Sequence, residues 1–278
     1  MKKEVVKKVL SLALASVMAV GCLAGCGSSG GDSGGGTDKL SEIMDKGKIV
    51  IGVNPPGEPI CFYDDQGNLI GYDVDFANKL GEVLGVEVEL VEVNGENRIS
   101  SVTSGRVDVI FANITGNLER AKSINFSIPY LRTGIKMGTR KGLDEVQEVA
   151  DLNDAKYTVA IASGTTGEEL VLEYAPNANI SYVASFSDQL LAVQEGKCDA
   201  IFEDGTSIDY AAGQGDYLDS KPMVYTSDPI CIGYIKGDAD FARYLDMFVS
   251  NMISSGFQAE CYNKWFGSEY TGTLDHPW

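Results

Sequence analysis

The stretch Ser104-Gly105-Arg106-Val107-Asp108-Val109-Ile110-Phe111-Ala112-Asn113 returns 91 residues later as Glu195-Gly196-Lys197-Cys198-Asp199-Ala200-Ile201-Phe202-Glu203-Asp204. Each copy follows a stretch of helical pattern, residues 98–103 and 188–194, and then reads glycine cap, apolar strand and polar strand end. Helix, turn, strand and ending all agree between the copies. The simplest account is two similar α/β units, one in each of two lobes. In open α/β sheets the C-terminal ends of the strands line the ligand crevice. Two lobes facing each other across Asn113 and Asp204 therefore make a cleft.

The rest of the chain fits that frame. Lys48-Ile49-Val50-Ile51-Gly52-Val53 is a short apolar strand stopped by Asn54-Pro55-Pro56. Val74, Ala77, Leu80 and Leu84 recur at helical spacing, and residues 86–93 alternate as a half-buried strand. Phe241, Tyr244, Leu245, Phe248, Val249, Met252 and Ile253 form a long apolar stripe closed by Gly256, which is core packing. Alternating strands and helices predict an α/β fold with mostly parallel sheets.

The N-terminus has a different composition. Lys2, Lys3, Lys7 and Lys8 precede an apolar run over residues 9–25, the order of a secretory signal peptide. An uncleaved membrane anchor is the competing reading, and two features argue against it. Leu23-Ala24-Gly25-Cys26 resembles a bacterial lipobox, which would make Cys26 the lipidated new N-terminus. The Gly- and Ser-rich residues that follow cannot build a core and read as a flexible tether. The expected division is a signal peptide over 1–25, a lipid-anchored tether over 26–38, one lobe from 39–131 with 231–278, and a second lobe from 132–230. The expected location is the outer face of the cell membrane, or the periplasm in a Gram-negative organism.

The formal charge is −18, and loss of the leader's four lysines and one glutamate makes it three units more negative. Such a surface repels nucleic acid, so that class of partner is excluded. The one histidine, His276, rules out histidine triads and multi-histidine metal sites. Cys61, Cys198, Cys231 and Cys261 show no metal-type spacing and read as buried small apolar residues, with a disulfide left open because export permits one. No cofactor is implied.

Three segments offer binding groups. Asn113-Ile114-Thr115-Gly116-Asn117-Leu118-Glu119-Arg120 is expected to open a helix capped by Asn117. Arg120, Thr115 and backbone N–H groups near Asn113 would then converge on a carboxylate, against the plainer reading of a surface arginine paired with a neighbouring acid. Ser163-Gly164-Thr165-Thr166-Gly167 leads from a strand into a helix; Gly164 allows close backbone approach, and Thr165 and Thr166 either cap that helix or touch a ligand. Asp204 either caps the helix after it or accepts from an ammonium group. A carboxylate held from one lobe and an ammonium from the other is the charge pattern of an α-amino acid.

Asn68-Leu69-Ile70-Gly71-Tyr72-Asp73-Val74-Asp75, residues 104–108, Thr115 with Glu119-Arg120, Phe126-Ser127-Ile128-Pro129-Tyr130, Ser163-Gly164-Thr165-Thr166 and Lys264-Trp265-Phe266-Gly267 occur in this order. Over about residues 40–267 the chain thereby resembles the polar amino-acid-binding proteins of ABC transporters, bacterial solute-binding protein family 3. The resemblance implies a type II periplasmic-binding-protein fold: two α/β lobes joined by two crossings, here near residues 131–136 and 225–230. It implies that Arg120 grips the ligand α-carboxylate with Thr115 and backbone near Asn113, that Thr165 and Thr166 add contacts, and that Asp204 holds the α-ammonium. A membrane permease would be the protein partner of a monomer. Gly57 and Gly95 depart from the family, standing where many relatives carry bulkier residues. Asn97-Arg98-Ile99 resembles acidic and other polar amino-acid binders, in which Arg98 would reach the ligand side chain; this favours polar or acidic ligands unless Glu58 points inward. The competing functions are an enzyme of cyclohexadienyl dehydratase type, with Glu58, Glu168 or Glu203 as general acid, and a sensory lipoprotein.

Overall fold

The computed structural model describes residues 38–272 and 274. The expected leader, Cys26 and His276 lie outside the described residues.

The chain begins with α1 (Lys39–Lys46), β1 (Lys48–Val53), β2 (Phe62–Tyr63), β3 (Leu69–Ile70), α2 (Tyr72–Leu84), β4 (Glu87–Glu92), α3 (Arg98–Thr103) and β5 (Val109–Ile110). The long strand β6 (Asn125–Thr133) then leads into β7 (Ile135–Arg140). Next come β8 (Thr158–Ala162), α4 (Thr166–Tyr174), β9 (Asn179–Val183), α5 (Phe186–Gln194), β10 (Ala200–Asp204), α6 (Gly205–Gly213) and β11 (Leu218–Val224). Strand β12 (Asp228–Tyr234) and helices α7 (Ala239–Ser254) and α8 (Phe257–Phe266) complete the order.

Two five-stranded sheets result, ordered β4-β1-β5-β12-β6 and β11-β7-β10-β8-β9. The two copies of the repeated stretch provide β5 and β10, the central strand of each sheet. Gly105 and Gly196 before them both take left-handed φ values, 72° and 67°. The repeated aspartate has the same role in each lobe. Asp108 Oδ2 accepts from Val50 N at 2.9 Å, and Asp199 Oδ2 accepts from Thr158 N at 2.8 Å. Each carboxylate thus satisfies a backbone donor on the neighbouring parallel strand.

The α/β, two-lobed architecture is as expected, but the sheets are mixed rather than mostly parallel. β1 pairs parallel with β4 and β5, whereas β12 runs antiparallel to β5 and β6. In the second sheet β8 pairs parallel with β9 and β10, and β7 runs antiparallel to β10 and β11. The antiparallel strands are those that carry the chain between lobes. Passage occurs at Gly134 and at residues 225–227, where Ile135 N donates to Thr226 Oγ1 at 2.8 Å and Gly205 N to Gly134 O at 2.8 Å.

Tyr72, Phe76, Phe111 and Tyr130 form the aromatic centre of the first lobe, with the Phe76 and Tyr130 rings 4.9 Å apart. Aromatic side chains bury roughly 150–250 Å² each, and these four are among the largest fully buried side chains of the described residues. The stripe on α7 packs here through Phe241, Leu245, Phe248, Val249 and Met252. Met137, Val159, Ile161 and Phe202 centre a core of the second lobe. All four described cysteines are free and buried. No helix of the described residues is long and apolar enough to cross a membrane.

Candidate ligand site

The strand ends meet as the repeat implies. Asn113 Nδ2 donates to Asp204 Oδ2 at 2.6 Å, so the last residues of the two copies touch across the cleft. Around them lies a cavity lined from the first lobe by Pro56, Gly57, Gly95, Arg98, Asn113 and Thr115. Thr165, Thr166, Phe186, Glu203, Asp204 and Ser207 line it from the second.

Asn113 is the one non-glycine described residue with positive φ, 46°. Asparagine tolerates this conformation better than most residues. The reason it is held there lies in the first lobe's core. Asp73, 1 % exposed at the start of α2, accepts Asn113 N at 2.7 Å on Oδ2 and the Tyr130 hydroxyl at 2.7 Å on Oδ1. Both Asp73 and Tyr130 fall within the family-like stretches, but nothing in their spacing says that they support Asn113.

Asp204 is 3 % exposed and makes no cap bond to α6, so the capping alternative fails. Its Oδ1 is buried with no partner. Burial, with Glu203 and Asp228 adding like charge, pushes its carboxyl well above the ordinary range. An ammonium group would relieve that cost directly.

Two arginines supply the opposite charge. Arg120 is 8 % exposed and donates to Thr115 O at 2.9 Å and Gly164 O at 3.1 Å. Arg98, 4 % exposed, donates to Ala112 O at 2.9 Å, Asn113 O at 3.1 Å and Gly164 O at 3.4 Å, while its Nε has no partner. Neither forms an ion pair with a described carboxylate. Burial pushes both guanidinium groups down, and Arg120 adds repulsion at Arg98. Two buried cations converging on one carbonyl oxygen of the opposite lobe mark a place where a carboxylate is favoured.

The helix expected around Arg120 is a single 3₁₀ turn, Arg120–Lys122, although Asn117 Oδ1 does accept Arg120 N at 2.9 Å. The backbone before it is engaged elsewhere: Thr115 pairs with Ile230, and Gly116 N donates to Pro229 O at 2.9 Å. Arg120 is thus aimed by tertiary bonds rather than by a helix. Thr165 is the side-chain cap of α4, accepting Glu168 N at 3.1 Å and donating to Ala162 O at 2.8 Å. Gly164 turns the chain with φ 74°. Glu58 lies away from the cavity wall and accepts the Tyr210 hydroxyl at 2.7 Å, and Glu168 accepts Gly164 N at 2.7 Å. Glu203 alone of the three candidate acids lines the cavity. Phe186 sits opposite Gly57, and sequence reasoning missed it because α5 belongs to the other lobe.

Asp73 gives a test of the support behind Asn113. Its carboxyl is pushed up from 3.8 to about 6, mainly by burial. A raised acid contributes stability fully below its unfolded value and loses that contribution as pH rises through about 6. Asp73→Asn presents an amide NH₂ to one of two donors and is expected to cost about 1–3 kcal/mol. Urea unfolding should show a larger deficit at pH 4.5 than at pH 7, because the variant lacks the pH-dependent loss.

The family model for bacterial extracellular solute-binding proteins, family 3, matches residues 49–268. The L-cystine-binding protein TcyJ of Escherichia coli (strain K12) is 28% identical over 233 residues, covering 84% of this chain and 87% of that protein. The ABC transporter glutamine-binding protein GlnH of Bacillus subtilis (strain 168) is 29% identical over 267 residues, covering 93% and 97%. Among solved structures, the ancestral amino acid-binding protein AncCDT-1, a precursor of cyclohexadienyl dehydratase, superposes with a TM-score of 0.76 at 29% identity, covering 82% of this chain and 99% of its own.

Proposed function

The chain belongs to the bacterial extracellular solute-binding proteins of family 3, and on that premise we propose that it captures an L-α-amino acid between its lobes and delivers it to an ABC transporter permease. The observation that carries this reading is the opposition of charge across one cavity. Asp204 offers an unpartnered buried carboxylate oxygen from one lobe, and Arg98 and Arg120 stand without ion-pair partners on the other. The ammonium of the ligand docks on Asp204, and its carboxylate docks at Arg120 with Thr115 and the first turn of α4 near Thr166. Residues 39–131 with 231–278 move as one lobe and 132–230 as the other, rotating about the two crossings.

The protein works as a monomer outside the cell, carried by a lipid on Cys26. One acyl chain holds a protein only marginally, so several chains at Cys26 suit a permanent anchor. A thermal-shift panel of the twenty L-amino acids tests the reading. A ligand at a hundred times its Kd adds about 2.7 kcal/mol to a state that alone binds it. One or a few amino acids should raise Tm clearly, and a flat panel would remove the proposal. Glu203 in the cavity is the single feature that favours an enzyme of dehydratase type; release of product from a prephenate-like substrate would establish that reading instead.

A further inference from the structure

We infer that Glu203 reads the ligand's side chain, selecting an amino acid that presents a hydrogen-bond donor there and rejecting one that ends in a second carboxylate. This rests on the amino-acid reading above.

Asp204 and Glu203 are neighbours on β10, and successive side chains of a strand leave it on opposite sides. The two side chains therefore leave the strand on opposite faces, and both residues border the cavity at the strand end. Glu203 curls forward over the strand end, its Oε1 3.3 Å from Asp204 N, and borders the cavity. It has no ion-pair partner among the described residues. Arg98 is the basic group on the facing, first-lobe wall, and its Nη groups are committed to the carbonyls of Ala112, Asn113 and Gly164.

With Asp204 reserved for the α-ammonium, Glu203 is a further acceptor that borders the cavity, its charge eased within the protein by Asp204 N, Arg98 and the Gln189 side chain. Burial pushes its carboxyl up even though these three groups oppose the shift. A side-chain amide, hydroxyl or ammonium on the ligand supplies a further donor from the cavity side. A ligand carboxylate would place a third acid beside two that already repel each other. Of the polar and acidic ligands that Arg98 suggests in the sequence, Glu203 favours those that bring a donor.

Calorimetric titration of the purified chain at pH 7.5 tests this with L-glutamine, L-asparagine, L-serine, L-lysine, L-glutamate and L-aspartate. The best donor-bearing ligand should bind at least about tenfold tighter than either acid, close to the 1.4 kcal/mol of one unfavourable contact. Glu203→Gln, nearly the same shape without the charge, should shrink that ratio at least about tenfold by improving the acids. Glu203→Asp should keep the preference with weaker binding, which loss of fold would not do. Wild-type binding of glutamate or aspartate as tight as the best donor-bearing ligand overturns the assignment. So does an unchanged ratio in Glu203→Gln, or binding confined to apolar amino acids. In those cases the amino-acid function stands. Failure of all twenty L-amino acids to bind overturns both.

Discussion

Replacing Asp204 with alanine is expected to weaken amino-acid binding by about 10²–10³-fold, because truncating one partner of a buried charge pair costs about 2–5 kcal/mol. Asp204 also holds Asn113 across the cleft, so the alanine variant removes a contact between lobes as well as a counter-charge. Asp204→Asn separates the two effects. Its side-chain oxygen can still accept from Asn113, while the negative charge is gone. A similar loss in both variants assigns the effect to the charge. Arg120→Ala should lose a comparable factor, since it strips the carboxylate end of the same ligand. Calorimetry of the three variants, with Tm recorded to confirm folding, decides this. Normal binding by Asp204→Ala and Arg120→Ala would refute the placement of the ligand.

Closing the lobes is the second place where a small change has a large effect. Gly95 faces Ser163 across the cleft so closely that an added Cβ would lie 2.3 Å from the Ser163 carbonyl oxygen. The approach is reciprocal: a Cβ on Gly164 would meet Gly95 O at 2.8 Å. Backbone abuts backbone here, so no side chain can swing aside. Gly95→Ala should therefore stop the lobes short of full closure and separate Gly164 O from both arginines. Affinity should fall by more than about tenfold, the equivalent of 1.4 kcal/mol. Small-angle scattering should show less contraction on ligand addition than in the wild type. Gly57→Ala is the control, because its Cβ would meet Phe186 Cβ at an ordinary 3.8 Å. Equal contraction and affinity in Gly95→Ala would show that this contact does not limit closure.

Much of this arrangement was legible in the sequence because it rests on local patterns. The repeat ending at Asn113 and Asp204 combines helix, cap, strand and polar end within a few residues, and both copies form central strands. The stripe on α7 is likewise a matter of spacing. What escaped was tertiary. The mixed sheets come from β12 and β7, whose directions are set by chain passing between lobes rather than by their own residues. Arg120 has no helix because the backbone before it is bonded to Pro229 and Ile230, more than 100 positions away. Arg98 read as a ligand-seeking cation, yet three carbonyls from two lobes claim its Nη groups. Glu203 read only as a possible acid catalyst, since a strand pattern does not show where a long side chain curls at the strand's end.

The central claim is that one zwitterion is held by its two charged ends, the ammonium on Asp204 and the carboxylate beside Arg120. It is tested most directly by titrating the chain with the amino acid that gives the largest thermal shift and with its des-amino analogue. The expected result is one ligand per chain and a loss of at least about 10²-fold without the ammonium group, the cost of leaving Asp204 buried and unpaired. Equal affinity for the amino acid and its des-amino analogue would contradict the account.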